Sequence, residues 1–286
     1  MITIQKASYA YHANQTVLED VNLHFQSGHI YGLLGENGAG KTTLLKSLAG
    51  LVFPKSGTID VLGHQPYRRR PDFLADIFMI PEDVELPDLL IERYVALYAC
   101  FYPKFDRELF FWLLETFEVP RAARMEQLSF GQRKKVLIAF GLATKTRLIL
   151  MDEPTNGLDI PSKSQFRKVM ASELTEERCF IISTHQVRDL DQLIDQLVIL
   201  SKQQVLLAAS IVEISQALAF KVIPRAVPEA LYMEETIQGI HAILPNKQQE
   251  DTKMDMELFF KGILLAKDQL ISLLHPNQTI NDEQYI

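Results

Sequence analysis

Gly35-Glu-Asn-Gly-Ala-Gly-Lys-Thr-Thr43 is the stretch that decides the fold of this chain. The apolar run before it, residues 29–34, predicts a buried strand, and the apolar spacing of residues 44–51 after it predicts a helix. A glycine-rich turn that joins a strand to a helix and ends in Gly-Lys-Thr has the pattern of a phosphate-binding loop, the Walker A motif. We therefore expect a nucleotide to bind here, although the loop alone does not say which one.

The residue types of this loop suit the binding of phosphate. Small residues let backbone N–H groups curl around phosphate oxygens, and the helix that begins near Gly40 adds its positive end. The ammonium of Lys41 would contact the β and γ phosphates, and the hydroxyl of Thr42 would ligate Mg²⁺. The residues of the loop that we expect to bind the nucleotide are Gly35, Asn37, Gly38, Ala39, Gly40, Lys41, Thr42 and Thr43.

The composition is that of a globular protein with one large domain or two small ones. Of the 286 residues, 47% are apolar and 23% are charged, and no run of eighteen apolar residues predicts a membrane span. The start predicts a strand and not a signal peptide. A net charge of −7 argues against a general nucleic-acid surface, so no nucleic-acid partner is expected. Cys100 and Cys179 lack metal-type spacing, and we expect both in apolar surroundings within a reducing cytosol.

Apolar runs predict an α/β fold with a mostly parallel core sheet. Four such runs, residues 30–34, 77–80, 148–151 and 180–182, alternate with helical segments. At the N-terminus, residues 2–7 and 21–26 predict strands of an antiparallel β subdomain, with residues 57–62 as another strand. Residues 9–14, which carry two tyrosines, predict a polar turn between the first two strands.

The section from residue 87 to about 145 predicts an inserted α-helical subdomain. Residues 89–101 have helical periodicity, and Asp106 is a candidate N-cap of a second helix with a broad apolar stripe. The exposed edge of this insert is a candidate partner surface. Residues 1–210 would form the main domain, with two short strands in residues 196–209. Residues 211–286 would form a small C-terminal extension, with a helix near residues 256–266.

Two carboxylates follow an apolar run and predict the second half of the nucleotide site. Residues 147–151 predict a strand that ends in Asp152 and Glu153, at the sheet edge where the phosphate loop also lies. There Asp152 would hold Mg²⁺, and Glu153 would orient and deprotonate the water that attacks the γ phosphate. His185 follows the next apolar strand, so it should reach the same edge and contact the γ phosphate or the water.

Leu-Ser-Phe-Gly-Gln, residues 128–132, opens another helix that should run to about Ala143. Ser129 is a natural N-cap, and Gly131 permits close approach of another group. This helix N-terminus could bind an anion, and because the loop at Lys41 already serves one nucleotide, a nucleotide of another subunit is one candidate. A simple capped helix is the other interpretation, and the residues alone leave both open.

The ordered motifs resemble those of ATP-binding cassette (ABC) ATPases. The resemblance covers residues 1–210 and rests on residues 35–43, 128–132, 148–153 (the Walker B motif), 157–159 and His185. It implies a P-loop NTPase that dimerises head to tail around two Mg-ATP, with Ser129, Gly131 and Gln132 facing the partner's nucleotide. Asp159 would cross the interface, and Tyr11 would stack on adenine, with Tyr9 as the alternative.

The resemblance also implies partners and a location. The inserted subdomain would hold a separate membrane permease, and the second cassette would be an identical or a related chain. The chain would then be cytoplasmic and peripheral on the cytoplasmic face of the cell membrane. Residues 254–259 are similar to an acidic-apolar ending of cassettes that serve exporters, so export is the expected direction.

Two positions depart from the family pattern. The family usually has glutamine at the position of Glu82, where it contacts Mg²⁺ and the attacking water. A carboxylate could still ligate Mg²⁺, but it would repel the γ phosphate unless it is protonated or bound to metal. Phe130 replaces a glycine that is common in the family, and we expect it to tune the interface without abolishing it.

Two further hypotheses for function remain at this point. One is a non-transport ABC ATPase that acts on ribosomes or in the assembly of iron–sulfur centres. The other is a regulatory module that binds ATP without turnover, against which both Glu153 and His185 argue. Lys41 and Asp152 are only 111 residues apart (152 − 41), which excludes the long coiled-coil insert of DNA-repair relatives.

Overall fold

A computed structural model describes residues 1–12, 15–237 and 239–274 of the chain. These residues form two compact units. The first comprises Met1–Ile194 and Val198–Leu206, and the second comprises Asp195–Leu197 and the chain from Leu207 onward. The division into a main domain that ends near residue 210 and a separate C-terminal extension stays a prediction. No helix in the described ranges is long and apolar enough to cross a membrane.

The first 210 residues alternate strands with helices. The strands are β1 (Ile2–His12), β2 (Gln15–Phe25), β3 (His29–Gly35), β4 (Ser56–Val61), β5 (Ile77–Ile80), β6 (Leu148–Asp152), β7 (Cys179–Thr184), β8 (Gln196–Ser201) and β9 (Gln204–Ser210). The helices are α1 (Lys41–Leu48), α2 (Pro71–Leu74), α3 (Ile91–Tyr98), α4 (Arg107–Thr116), α5 (Phe130–Ala143) and α6 (Ile160–Glu173). Short 3₁₀ turns cover Pro66–Arg68, Ala99–Phe101, Met125–Gln127 and Val187–Leu190.

The core sheet has the order β5-β6-β7-β3-β8-β9. The pairs β5–β6, β6–β7 and β7–β3 are parallel, so their carboxyl ends lie at one edge. Every residue of β6 and β7 is buried, which is why these strands are nearly continuous apolar runs. The register sets Asp152 of β6 opposite Ser183 of β7. The expected mostly parallel sheet is confirmed.

A three-stranded antiparallel sheet, ordered β2-β1-β4, forms the N-terminal part. Val21, Leu23 and Phe25 point into the core, as their alternation predicts. The polar turn predicted for residues 9–14 is wrong in part, because β1 continues to His12 and pairs with β2 as far as Gln15. Pairing with β2 satisfies the backbone of residues 9–12. The rest of that prediction, Ala13 and Asn14, lies outside the described residues.

The helices α3, α4 and α5 form the section that was predicted as a helical insert. Asp106 is the N-cap of α4, since its Oδ1 accepts a hydrogen bond of 2.9 Å from the N–H of Leu109. Phe140 of α5 packs edge to face or tilted against several aromatic rings, which fills the space between the helices. These rings belong to Phe78, Tyr94, Tyr102, Phe105 and Phe110.

One expectation about the cysteines fails. Cys179 is buried in β7, but Cys100 is exposed in the turn that follows α3. The apolar neighbours of Cys100 in the sequence do not form an apolar environment for it, because Leu97, Tyr98 and Phe101 are themselves exposed.

The second unit contains more structure than the sequence indicates. Its elements are α7 (Ile211–Ala217), β10 (Leu218–Ile223), β11 (Tyr232–Thr236), β12 (Gly239–Pro245), α8 (Met256–Leu265) and α9 (Lys267–Leu274). The strands form an antiparallel sheet of order β10-β12-β11. The predicted helix near residues 256–266 is confirmed as α8, whereas the sheet was not predicted.

Candidate active site

The phosphate loop lies between β3 and α1 and needs glycine at Gly40. This residue has a φ of +102°, and an added Cβ would lie 2.8 Å from the carbonyl oxygen of Val17 and 2.7 Å from Leu18. Only glycine combines that backbone conformation with that close approach. No side chain caps α1, so the first N–H groups of this helix have no partner within it and can bind an anion.

The side chain of Lys41 lies along the loop and is buried. Its Nζ donates hydrogen bonds to the carbonyl oxygens of Gly35 at 2.7 Å and Glu36 at 3.2 Å. Desolvation lowers the pKa of Lys41, and the charges of Glu153, Asp152 and Glu82 oppose that shift. The charges of these three carboxylates therefore act on the ammonium of the phosphate loop.

Asp152 and Glu153 continue β6 to the sheet edge, as predicted, and both are nearly inaccessible to solvent. A carboxylate oxygen of Asp152 accepts a hydrogen bond from the hydroxyl of Ser183 on the neighbouring strand. Glu153 has a φ of +45°, a left-handed conformation that is uncommon outside glycine. Such a backbone persists only where the surroundings hold it, and it is frequent at functional sites.

The carboxylate of Glu153 is held by the two residues at the end of β7. Its Oε1 accepts a hydrogen bond of 2.9 Å from the N–H of His185 and lies 2.7 Å from Nδ1 of the same residue. Its Oε2 accepts a hydrogen bond of 3.0 Å from the hydroxyl of Thr184. The structure therefore brings Glu153 and His185 together at the edge where the sequence places both.

Glu82 follows β5 and is exposed. Its Oε1 accepts a hydrogen bond of 3.1 Å from the side-chain amide of Asn156, and Gln186 in turn donates to the amide oxygen of Asn156 at 3.2 Å. These contacts connect Glu82 with the residue after His185. The amide of Asn156 thus gives Glu82 a neutral donor, where the family's usual glutamine could itself donate or accept.

A buried ionic cluster supports the loop after Glu153. The hydroxyl of Thr155 donates to Oδ2 of Asp189 at 2.6 Å, and the ammonium of Lys163 lies 2.7 Å from the same oxygen. Asp189 and Thr155 are buried, so the contact is shielded from water. It fixes Thr155 relative to α6 and to the turn that follows His185.

The segment Ser129–Gln132 begins α5 with a reciprocal cap. The hydroxyl of Ser129 accepts from the N–H of Gln132 at 3.2 Å, and the side chain of Gln132 accepts from the N–H of Ser129 at 3.1 Å. A Cβ on Gly131 would lie 2.7 Å from the carbonyl oxygen of Gly157, and a Cβ on Gly157 would lie 2.7 Å from the ring of Phe130. The start of α5 thus packs closely on residues 156–158 of the same chain.

Asp159 and Tyr11 are exposed at two other places. Asp159 is the N-cap of α6, where its Oδ1 accepts from the N–H of Ser162 at 2.9 Å. The side-chain hydrogen bond with Ser162 is the largest cause that lowers the pKa of Asp159. The hydroxyl of Tyr11 lies 3.2 Å from that of Thr43 in α1, and the ring of Tyr9 packs edge to face on Tyr11. Tyr11 is therefore next to the phosphate loop, where the adenine contact is predicted.

The oxygen atoms near the loop fit Mg²⁺ as a partner of a bound triphosphate. Among the described residues, no three His, Cys, Asp or Glu side chains form a metal site by themselves. Mg²⁺ is commonly held by one or two protein oxygens together with phosphate oxygens and water. The hydroxyl of Thr42 and the carboxylate of Asp152 are of this kind, and the carboxylate of Glu82 is a third candidate oxygen.

Several polar contacts escaped the sequence analysis. Thr184 and Ser183 precede His185 in the sequence, and their hydroxyls on a strand next to two carboxylates are the signal that could have been used. Asn156 lies in the loop after Glu153, but nothing local indicates its contact with Glu82. The buried Lys134 lies within a basic run, Arg-Lys-Lys, that resembles a solvated surface.

Comparison with known proteins gives the family. A family model described as ABC transporter matches residues 18–156. The ABC transporter ATP-binding protein YtrB of Bacillus subtilis is 32% identical over 199 residues, which are 69% of this chain and 68% of YtrB. This chain belongs to the family of ABC transporter ATP-binding proteins. It is an ATPase and the nucleotide-binding subunit of an ATP-driven transporter.

Two other ABC proteins are similar to this chain over comparable lengths. The putative ABC transporter ATP-binding protein AlbC of Bacillus subtilis is 30% identical over 72% of this chain and 90% of its own length. The Nod factor export ATP-binding protein I of Cupriavidus metallidurans is 28% identical over 66% of this chain and 64% of its own length.

Solved ABC structures have the same fold. An ATP-binding subunit of an ABC transporter superposes with a TM-score of 0.68 and 26% identity, over 75% of this chain and 91% of that chain. The ATP-binding cassette MJ0796, in a dimeric post-hydrolysis state bound to ADP and Pi, superposes with a TM-score of 0.66 and 21% identity, over 74% and 99%. The expected P-loop NTPase fold is confirmed.

Proposed function

We propose that this chain is the energy-coupling subunit of an export-type ABC transporter. Two cassettes, this chain and an identical or related one, would meet head to tail around two Mg-ATP. They would drive a separate membrane permease from the cytoplasmic face of the membrane. Nothing in the chemistry of the site requires a nucleic-acid partner.

The observation that carries this proposal is the presence of two helix N-termini that suit a phosphate. One begins at Lys41 and lies beside Asp152 and Glu153 in the same electrostatic environment. The other begins at Ser129, which is exposed. Because the phosphate loop at Lys41 serves this chain's own triphosphate, the exposed N-terminus of α5 suits the nucleotide of a second subunit. The capping box at Ser129 also fits a simple capped helix, and the assembly measurement below separates the two interpretations.

The contacts around the phosphate loop support the following proposed division of labour. Lys41 and the amides of residues 38–43 bind the phosphates, while Thr42, Asp152 and Glu82 hold Mg²⁺, which neutralises charge on the γ phosphate. Glu153 accepts the proton of the attacking water, and His185 orients the carboxylate that accepts it. Tyr11 stacks on adenine, and Ser129, Gly131, Gln132 and Asp159 act across the interface.

The coupling to a permease is the step furthest from the site. Exposed apolar side chains of the helical section, among them Leu97, Phe101 and Trp112, offer a surface that a permease helix could cover. Export as the direction is supported by the similarity to the Nod factor export ATP-binding protein and by the acidic-apolar segment at the start of α8.

The test combines assembly with turnover in the full chain. Wild type and Glu153→Gln are purified, and their mass is measured by light scattering with and without Mg-ATP. We expect Glu153→Gln to lose about 10²-fold or more of the ATPase rate and to become dimeric with ATP, because the general base is removed while binding is kept. Glu108→Gln, an exposed carboxylate in α4, is the matched control and should behave as wild type.

Two results would contradict the proposal. Equal ATPase rates in wild type and Glu153→Gln would remove Glu153 as the base. An unchanged mass with ATP, for this chain alone and for this chain mixed with a cassette encoded beside it, would remove the shared site. Reconstitution in inverted vesicles with a candidate permease, sought as a membrane protein encoded beside this chain, tests the direction of transport.

A further inference from the structure

Lys134 is a fully buried lysine in the second turn of α5. Its exposed fraction is 0%, and its Nζ donates a hydrogen bond of 2.8 Å to the backbone carbonyl oxygen of Glu153. The ammonium also lies 5.3 Å from the ring centre of Phe130. A lysine is almost never fully buried unless it is paired, so this position needs an explanation.

The surroundings of this lysine act on its charge in two opposite ways, and the net effect is a lowered pKa. Desolvation by burial lowers its pKa, whereas the negative charges of Glu82, Glu153, Asp152 and Asp83 act in the opposite direction. A buried ammonium next to four carboxylates gains attraction that a surface lysine would lose to water. The carboxylates of the active site therefore offset only part of the cost of burying this ammonium.

The carbonyl that Lys134 binds belongs to the strained residue of the site. Glu153 has its left-handed φ of +45°, and its N–H donates to the carbonyl of Ser183 at 3.1 Å. Its carbonyl oxygen also accepts from the N–H of Asn156 at 3.2 Å. Because φ and ψ of Glu153 determine where its side chain starts, a donor that fixes its carbonyl also fixes the direction of its carboxylate.

We propose that Lys134 is a positioning residue for Glu153, which it ties to the helix that begins with the Ser129–Gln132 segment. This inference rests on the proposed function, in which Glu153 is the base and that segment faces the partner's nucleotide. The lysine does not touch the reacting atoms. It acts through the backbone of Glu153.

The packing around Lys134 also couples the start of α5 to the loop that follows Glu153. Gly131 and Phe130, at the start of the same helix, contact Gly157 on the loop that follows Glu153. Lys134 thus adds a charged hydrogen bond to a contact that is otherwise van der Waals. A displacement of the N-terminus of α5 at one nucleotide would therefore be transmitted to the base that serves the other nucleotide.

The experiment compares three side chains at position 134 in the full chain. Lys134→Met keeps the apolar stem and removes the donor, and Lys134→Gln keeps a neutral, shorter donor. We expect Lys134→Met to lower kcat about tenfold or more with KM within about twofold of wild type, since the contact orients a group that acts in the transition state. The kcat of Lys134→Gln should lie between those of wild type and Lys134→Met, with the same KM. Rates are normalised to ATP-binding sites.

Lys135→Met is the matched control, because the hydrogen bond of the neighbouring Lys135 goes to the carbonyl oxygen of Phe117, at 3.1 Å, and not to the backbone of Glu153. Its kcat should equal that of wild type. The inference is overturned if the kcat of Lys134→Met lies within about twofold of wild type. It is also overturned if the variants lose thermal stability while kcat per ATP-binding site stays constant. If Lys134→Met does not fold, a wild-type kcat for Lys134→Gln overturns it. A wild type without ATPase activity would instead contradict the proposed function.

Discussion

Nδ1 of His185 lies 2.7 Å from Oε1 of Glu153, and the N–H of His185 donates to the same oxygen at 2.9 Å. One oxygen of the carboxylate is therefore bound twice by a single residue, while the hydroxyl of Thr184 binds the other oxygen. Three donors from the end of β7 hold a carboxylate at the end of β6. A base held in this way loses little orientational freedom when a water molecule must be deprotonated.

The first prediction concerns His185. His185→Ala should lower kcat about 10²-fold, because Glu153 then loses the ring that orients its carboxylate, while the affinity for ATP changes little. Steady-state ATPase kinetics and a separate ATP-binding measurement check this. His24→Ala, an exposed histidine that contacts Thr3 in the N-terminal sheet, is the control. A His185→Ala protein with wild-type kcat would show that Thr184 and the backbone suffice.

The second prediction concerns the carboxylate at position 82. If Glu82 ligates Mg²⁺, Glu82→Gln should raise the Mg²⁺ concentration for half-maximal ATPase rate about tenfold, because an amide is a weaker ligand than a carboxylate. The hydrogen bond from Asn156 should survive, since a glutamine oxygen also accepts. The control is Glu85→Gln, at an exposed position nearby. Unaltered rate and unaltered metal dependence would remove Glu82 from the site.

The third prediction uses the close approach of Gly131 to Gly157. Alanine is the better helix former by about 1 kcal/mol, so Gly131→Ala should stabilise α5 if only the helix mattered. The added Cβ would instead lie 2.7 Å from the carbonyl oxygen of Gly157 and must displace residues 156–158. We expect a loss of about tenfold to 100-fold in kcat, since small misplacements near the chemistry are costly.

Phe130→Ala is the comparison for that change. It removes a half-exposed ring without adding an atom, and we expect its ATPase rate to stay within about threefold of wild type. Similar losses in the two variants would mean that the ring of Phe130, and not the close backbone contact, is what the interface requires.

The fourth prediction is a pH dependence of ATP binding. Burial lowers the pKa of Lys41, so this ammonium loses its proton at a lower pH than an ordinary lysine. The neutral amine no longer attracts the phosphates, and affinity should therefore fall as pH rises through the lowered pKa of the free protein. Titrations between about pH 7 and pH 10 measure this, together with proton uptake on binding in buffers of different ionisation enthalpy. Lys41→Met should bind weakly and without that alkaline dependence, and a flat wild-type profile would contradict the prediction.

The fifth prediction concerns stability away from the site. Arg178 is buried, and its guanidinium donates to three carbonyl oxygens. These belong to Leu142 near the C-terminal end of α5, to Thr146 just before β6 and to Glu173 at the end of α6. Burial lowers its pKa to about 10. Arg178→Met should cost about 3 kcal/mol in the free energy of unfolding, because three carbonyl acceptors, of which two are buried and one is partly buried, lose their donor.

Urea unfolding measures this loss. Arg124→Met is the control, since its salt bridge with Asp88 is exposed to solvent and should contribute little to stability. Losses of the same size in both variants would show that the burial of Arg178 does not matter.

Local features of the sequence predicted most of the first unit. Strand periodicity gave β3 and β5 to β7, and cap chemistry gave Asp106 and Ser129, because both depend on residues that are close in sequence. The predicted turn was wrong for residues 9–12 because polar residues can extend an exposed hairpin strand when a partner strand satisfies the backbone. The sheet of the second unit was missed because its strands are only half-buried, as at Val222 and Met233, and lack strict alternation.

The sequence by itself determined the phosphate loop, the order of the motifs and the carboxylates that end β6, since backbone chemistry and apolar spacing are written into neighbouring residues. Only the tertiary structure decided that His185 binds Glu153, that Asn156 donates to Glu82 and that Lys134 is buried against the backbone of Glu153. Lys134 is 19 residues from Glu153, and Asn156 is 74 residues from Glu82. Such contacts depend on strand order and helix packing across the whole unit, which no local pattern encodes.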